Sequence, residues 1–110
     1  MKLPNAERAY VPTAKLSQYL LAESHPVGGP KARFLGVVGF EPHDVDLLEQ
    51  ALLALARTRE VTEVGASPHG TKYVVDGEIL TPAGRRVGVR TVWMTEPAQE
   101  NPRFVTLYPL

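Results

Sequence analysis

Hydrophobic positions recur every three to four residues in the middle of the chain and every second residue in its last third. Over residues 45–57 the spacing is that of a helix that buries one face. The apolar stripe consists of Leu48, Leu52, Leu55 and Ala56. Asp44 stands before this run as the predicted N-cap, and Arg57 lies near its end, as the helix dipole favours. The pattern therefore predicts a long amphipathic helix.

Two shorter helices are predicted before it. The first covers residues 14–24 and ends where His25 precedes a proline, because the residue before proline is disfavoured in a helix. A loop of glycine and proline follows, and residues 31–38 resume a helical pattern. Residues 1–12 contain two prolines and are predicted to form an extended arm.

After the long helix the period changes to two. Strands are predicted at residues 61–64, 71–80, 86–95 and 103–108, with turns at 67–70 and 81–84. Helices followed by an antiparallel meander define the α+β class, with N-terminal helices packed on one face of a small sheet of about four strands. We expect a single domain over residues 1–110, with a helical part over 13–58 and a sheet over 61–109.

Composition excludes several classes of chemistry. The 110-residue chain has no cysteine, which removes disulfide scaffolds, thiol nucleophiles and cysteine-based metal sites. Its 12 basic residues balance 12 acidic ones, so strong non-specific binding to nucleic acid is not expected. Ten prolines and two methionines favour a thermally robust protein.

The sequence shows neither a signal-peptide core nor an apolar span of ~20 residues, which predicts a cytoplasmic location without membrane contact.

Standard catalytic motifs are missing. The sequence has no phosphate loop, dinucleotide-binding glycine motif or zinc-protease helix. His25, His43 and His69 lack ligand spacing, so neither a metal nor a cofactor is expected. His25 stands out because it follows the first helix and precedes Lys31 by six residues, a setting that suits proton transfer near neutral pH. The alternative interpretation is a histidine that caps the helix beside a solvated basic face.

The strands supply a second set of polar groups. Alternation along the third predicted strand places Arg90 on one face among apolar neighbours and Thr91 on the other. In the last strand the same alternation predicts that Phe104, Thr106 and Tyr108 share a face. Threonine and tyrosine are common in strands because of their β propensity alone, so these hydroxyls do not by themselves indicate a site.

Six fragments of the sequence carry a resemblance that spans nearly the whole chain. They are KLPNAER from Lys2, YLL from Tyr19, HPVGGPKARF from His25, GTKYVV from Gly70, VRTVW from Val89 and PRFVTLYP from Pro102. Together they resemble a small uncharacterised bacterial domain family, which occurs as stand-alone proteins and at the C-terminus of larger secreted proteins. The resemblance implies a relationship to this family but no particular activity.

A wider resemblance rests on four features of the chain. They are the order of helices and sheet, the pair of His25 and Lys31, the central Arg90-Thr91 and the terminal Val-Thr-x-Tyr-Pro. They are similar to the metal-independent RNase superfamily that groups barnase, EndoU, colicin tRNases and RelE-type toxins. That resemblance implies that a base, cations and hydroxyls on the sheet activate a ribose 2′-hydroxyl and stabilise the phosphorane. The implied catalytic residues are His25, Lys31, Arg90, Thr106 and Tyr108, with Thr91, Lys72 and Arg103 in support.

Two functions stand as alternatives. In the first, the chain is an RNase-like toxin of a toxin–antitoxin pair that acts on RNA or tRNA and is held in check by a small antitoxin-like protein. In the second, it is a non-catalytic interaction module whose acidic helix or strand edge binds a partner or a second copy, as in a homodimer. The toxin hypothesis requires His25, Lys31, Arg90 and Tyr108 to face one groove, because acid–base groups must reach one phosphate.

Overall fold

The computed structural model describes residues 1–16, 34–37, 39–41 and 43–110. A 3₁₀ turn at Ala6–Arg8 and a helical turn α1 at Thr13–Lys15 precede the helix α2 at Val45–Thr58. The strands are β1 (Val61–Ser67), β2 (Gly70–Leu80), β3 (Arg86–Thr95) and β4 (Arg103–Pro109). Residues 34–37 are also helical, and the rest of the two shorter predicted helices lies largely outside the described residues.

The helix α2 follows its sequence pattern. Its buried residues are Leu48, Leu52, Leu55 and Ala56, which is the predicted stripe. Asp44 takes the N-cap position, but its side chain makes no hydrogen bond to the helix. Instead, its carboxylate accepts a hydrogen bond from the backbone N–H of Glu41 at 2.9 Å. The predicted start of the helix is confirmed, whereas the predicted side-chain cap is wrong.

The four strands form one sheet in the order β1-β2-β3-β4, with every neighbouring pair antiparallel. The helix α2 lies against one face of this sheet, so close that a Cβ at Gly77 would lie 3.0 Å from Arg59 and 3.3 Å from Leu55. This face is called the covered face below, and the opposite one the open face. The predicted α+β meander is thereby confirmed.

The core lies between α2 and the covered face. It contains Val75, Ile79, Val89, Trp93, Phe104 and Leu107 of the sheet, each no more than 1% exposed. The N-terminal arm joins this core through Leu3, Ala9 and Val11. Backbone hydrogen bonds from Tyr10 to the carbonyl of Pro102 and from Phe104 to the carbonyl of Tyr10, both 3.0 Å, fix the arm beside β4. The predicted extended arm is therefore a packed segment that includes a 3₁₀ turn.

A β-bulge changes the side-chain alternation of β4. Val92 pairs with Thr106, but the next residue, Trp93, pairs with Phe104, so Val105 is an extra residue on β4. The bulge turns Phe104 to the covered face, where its ring meets that of Trp93 edge-to-face with centroids 5.3 Å apart. The prediction that Phe104 shares a face with Thr106 and Tyr108 is therefore wrong.

Candidate functional site

The open face carries adjacent cross-strand rows of side chains. In the first row Asp76 pairs with Arg90, which pairs with Tyr108. The second row is Val74, Val92 and Thr106, and the third is Lys72, Met94 and Arg103. Directly opposed residues in such rows hold their Cβ atoms about 4.5–5.5 Å apart. The register therefore places on one face five of the residues predicted from the sequence to be catalytic or supporting. They are Arg90, Thr106, Tyr108, Lys72 and Arg103.

Arg90 is held by a carboxylate that no motif in the sequence singles out. Its Nε and Nη2 atoms donate to the two carboxylate oxygens of Asp76 at 2.9 and 3.0 Å. The hydrogen bonds to Asp76, and then the nearby negative charges of Asp76 and Glu63, raise the pKa of Arg90, a group that is already charged at neutral pH. The side chain of Arg90 is 43% exposed. The expectation of apolar neighbours holds along β3 but not across it, because strand register is invisible in a local pattern.

Tyr108 and Thr106 differ in access. Tyr108 is 47% exposed, whereas Thr106 is 8% exposed. The phenol of Tyr108 thus lies at the surface beside Arg90, and the hydroxyl of Thr106 lies one row away and deeper. A substrate on this face would meet the phenol and the guanidinium before the threonine.

Thr91 lies on the covered face and is fully buried. Its hydroxyl donates to the carbonyl of Val75 at 2.7 Å and accepts a hydrogen bond from the indole Nε1 of Trp93 at 2.8 Å. Both hydrogen-bonding roles of the hydroxyl are used inside the core. The structure therefore separates Thr91 from the other described candidates and gives it a place in the packing of the tryptophan.

His25 and Lys31, the proposed base and one proposed cation, lie outside the described residues. Whether they approach Arg90 and Tyr108 stays a prediction. Of the five implied catalytic residues, the described part of the chain therefore contains one cation, Arg90, and two hydroxyls, those of Thr106 and Tyr108.

At one end of the open face lies a shallow depression of about 620 Å³, called the terminal depression below. Its lining comprises Pro68, His69, Met94, Glu96, Pro97, Arg103 and Val105. Nη2 of Arg103 lies 3.3 Å from Oε1 of Glu96, and the Arg103 side chain is 28% exposed. No pattern in the sequence connects His69 with Glu96, because only the meeting of the β1–β2 turn with the segment after β3 brings them together.

Charges on the described open face nearly balance, with an excess of one basic residue. The register places on it the four basic residues Lys72, Arg86, Arg90 and Arg103 and the three acidic residues Glu63, Asp76 and Glu78. A face of this kind does not attract polyanions over long range as a basic patch does. Any nucleic acid bound here would be held by short contacts, with the existing ion pairs as competitors.

Over the described ranges, no group of three or more histidine, aspartate or glutamate residues is placed to hold a metal ion. Within the same part of the chain, no helix is both long and apolar enough to cross a membrane.

Comparisons with known proteins place the chain within a family. A family model described as a domain of unknown function, DUF6883, matches residues 2–110, in agreement with the resemblance to an uncharacterised domain family. None of the curated proteins matches the chain. The fold is similar to a chain of a solved structure described as a contact-dependent growth inhibition toxin–immunity protein complex from Klebsiella pneumoniae 342. The TM-score is 0.66, with 14% identity over 93% of this chain and 100% of that chain.

Proposed function

The chain belongs to the DUF6883 family, and we propose that it is the toxin of a toxin–immunity pair, a metal-independent endoribonuclease that cleaves RNA on the open face of its sheet. The observation that carries the proposal is the row in which Arg90 and Tyr108 are directly opposed, with Thr106 one row away. The similarity in fold to a toxin–immunity complex supports the toxin and the protein partner. It does not by itself indicate the reaction.

The reaction needs a base, an acid and positive charge. The 2′-oxygen of a ribose attacks the adjacent phosphorus while its proton passes to the base, for which we propose His25. The bond from phosphorus to the 5′-oxygen of the next nucleotide breaks, leaving a 2′,3′-cyclic phosphate. Tyr108 donates a hydrogen bond and then a proton to that departing oxygen. Arg90 and Lys31 stabilise the negative charge that grows on the phosphorane.

Arg90 can bind the phosphate while its guanidinium is paired with Asp76. A guanidinium has five N–H donors, and the pair with Asp76 uses Nε and one hydrogen of Nη2. Nη1 and the second hydrogen of Nη2 are the donors that we assign to the phosphate. Asp76 then acts as a positioning residue, since two-point contact fixes the plane of the guanidinium before substrate arrives.

The test is cleavage of total tRNA and of poly-U in EDTA by the purified full chain. We expect fragments that end in 2′,3′-cyclic phosphate. Tyr108→Phe should lower the rate at least about tenfold and Arg90→Gln about a hundredfold. His25→Ala and Lys31→Ala should each lower it strongly. Arg86→Gln is the matched control, because Arg86 is an exposed arginine at the start of the same strand. Intact RNA with a demonstrably folded wild-type protein would overturn the proposal.

A second candidate function is a non-catalytic interaction module, which the paired arginines favour. Arg90 is paired with Asp76 and Arg103 with Glu96, and such pre-formed ion pairs suit a protein surface with alternating charges. The module would bind a protein partner or form a homodimer through a strand edge. In the same assay it predicts intact RNA, and sedimentation equilibrium of the purified chain would separate a monomer from a homodimer.

A further inference from the structure

We propose that the terminal depression is a nucleotide subsite, separate from the reaction centre, that holds one nucleoside monophosphate unit of the RNA. The base lies on Met94 and Val105, and the phosphate is bound by Arg103 and His69. The choice of RNA as ligand rests on the proposed function. The subsite itself rests on the chemistry of the lining.

The wall of the depression is fixed by the β1–β2 turn. The hydroxyl of Ser67 accepts a hydrogen bond from the backbone N–H of His69 and donates to the carbonyl of Gly70, both at 3.2 Å. Gly70 has a φ of +128°, and a Cβ there would collide with the carbonyl oxygen of Thr95 and lie 2.9 Å from Cα of Glu96. The turn that carries His69 is thus packed tightly against the segment that carries Glu96. The positions of these two parts of the lining are therefore fixed relative to each other.

The floor is apolar. Met94 and Val105 are both half-buried on the open face, and the bulge that makes Val105 an extra residue turns it to the same depression as Met94. An aromatic base stacks on an apolar or aromatic surface regardless of its sequence, and the thioether of methionine makes favourable contacts with aromatic rings. The floor therefore suits a planar base better than a charged or flexible group.

The rim offers donors for a phosphate. Arg103 meets Glu96 through a single contact at 3.3 Å, a looser arrangement than the bidentate pair of Arg90 and Asp76 at 2.9 and 3.0 Å. A phosphate therefore competes more easily for Arg103 than for Arg90. His69 is exposed on the other side of the depression and provides a ring N–H donor.

The subsite is distinct from the reaction centre by distance. Met94 lies four residues beyond Arg90 on β3, which corresponds to about 13 Å along a strand. The phosphate that reacts beside Arg90 and the nucleotide in the terminal depression therefore belong to different positions of the same RNA. A nucleotide bound in the depression would therefore determine which position of the RNA lies beside Arg90 and is cleaved.

The experiment is an NMR titration of the full chain, labelled at methionine and valine methyl groups, with adenosine 3′-monophosphate. Adenosine and inorganic phosphate are titrated separately. We expect saturable shifts of the Met94 and Val105 methyl signals and of the His69 ring signals with the nucleotide, and binding at least about tenfold weaker for either part alone. His69→Ala and Arg103→Gln should each weaken nucleotide binding severalfold. His43→Ala and Arg85→Gln are the matched controls, being an exposed histidine and an exposed arginine that do not line the depression.

The outcomes separate the subsite from the reaction. Nucleotide shifts at Met94 and Val105 without RNA cleavage would support the subsite and count against the endoribonuclease. Cleavage with no shift at these methyl groups up to millimolar nucleotide, or with shifts confined to the row of Arg90 and Tyr108, would overturn the subsite and leave the endoribonuclease standing.

Discussion

Arg90 and Asp76 form a two-point ion pair between neighbouring strands, in which Nε and Nη2 meet the two carboxylate oxygens at 2.9 and 3.0 Å. The two residues are directly opposed in the register of β2 and β3. A single-point contact would let the guanidinium rotate, whereas this one fixes its plane. The pair therefore orients the cation that we propose for phosphate binding, and it also places a negative charge beside that proposed binding position.

Asp76→Asn should separate these two effects. Removing the negative charge should strengthen RNA binding severalfold, while loss of the oriented guanidinium should lower kcat about tenfold. Measured kcat and KM on a short RNA test this. Glu78→Gln is the control, because Glu78 is an exposed acid on the same face of the same strand. It should lower KM slightly with kcat unchanged. Equal effects of the two variants on kcat would contradict the positioning role.

Thr91→Val should destabilise the protein by about 1–3 kcal/mol, because the carbonyl of Val75 and the indole N–H of Trp93 would each lose a buried partner. Urea unfolding measures the loss. The emission of Trp93, the only tryptophan of the chain, should change as its hydrogen bond at 2.8 Å is lost. Thr91→Ser keeps the hydroxyl and should retain most of the stability. A catalytic defect in Thr91→Val without a stability defect would contradict the placement of Thr91 in the core.

Gly70→Ala should be more damaging than Gly84→Ala. Both glycines have a positive φ, +128° and +82°, but the added methyl group at Gly70 meets the backbone of Thr95, whereas at Gly84 nothing lies within 4 Å. We expect a loss of about 1 kcal/mol at Gly84 from backbone strain alone and a clearly larger loss at Gly70. Thermal unfolding of both variants compares them. Equal losses would show that the β1–β2 turn is not packed tightly against the end of β3.

Leu52→Ala should destabilise the protein by about 2–5 kcal/mol, because Leu52 is fully buried between α2 and the sheet. Leu47→Ala, on the same helix, should cost less than about 1 kcal/mol, since that side chain is 51% exposed. Urea unfolding gives both values. A large loss at Leu47 would instead indicate that this exposed leucine is covered by a partner or by a second copy in solution.

Elements whose side chains repeat with a regular period can be predicted from the amino-acid sequence alone. The stripe of Leu48, Leu52, Leu55 and Ala56 predicted the helix α2, and the strands at 71–80 and 86–95 were placed within one residue of β2 and β3. Period and turn chemistry are local properties, so a single chain carries them without knowledge of its partners. They suffice for the α+β class and for the face that Arg90 occupies.

How those elements meet depends on contacts between residues that are distant in the sequence. The bulge at Val105 places Phe104 in the core while Thr106 pairs on the open face. A strict alternation of faces along a strand cannot predict one extra residue. Asp76 meets Arg90 and Glu96 meets Arg103 because strands and turns distant in sequence become neighbours in space. The candidate site is made of such cross-strand contacts, since its chemistry depends on register, and register is fixed only when the whole sheet closes over its core.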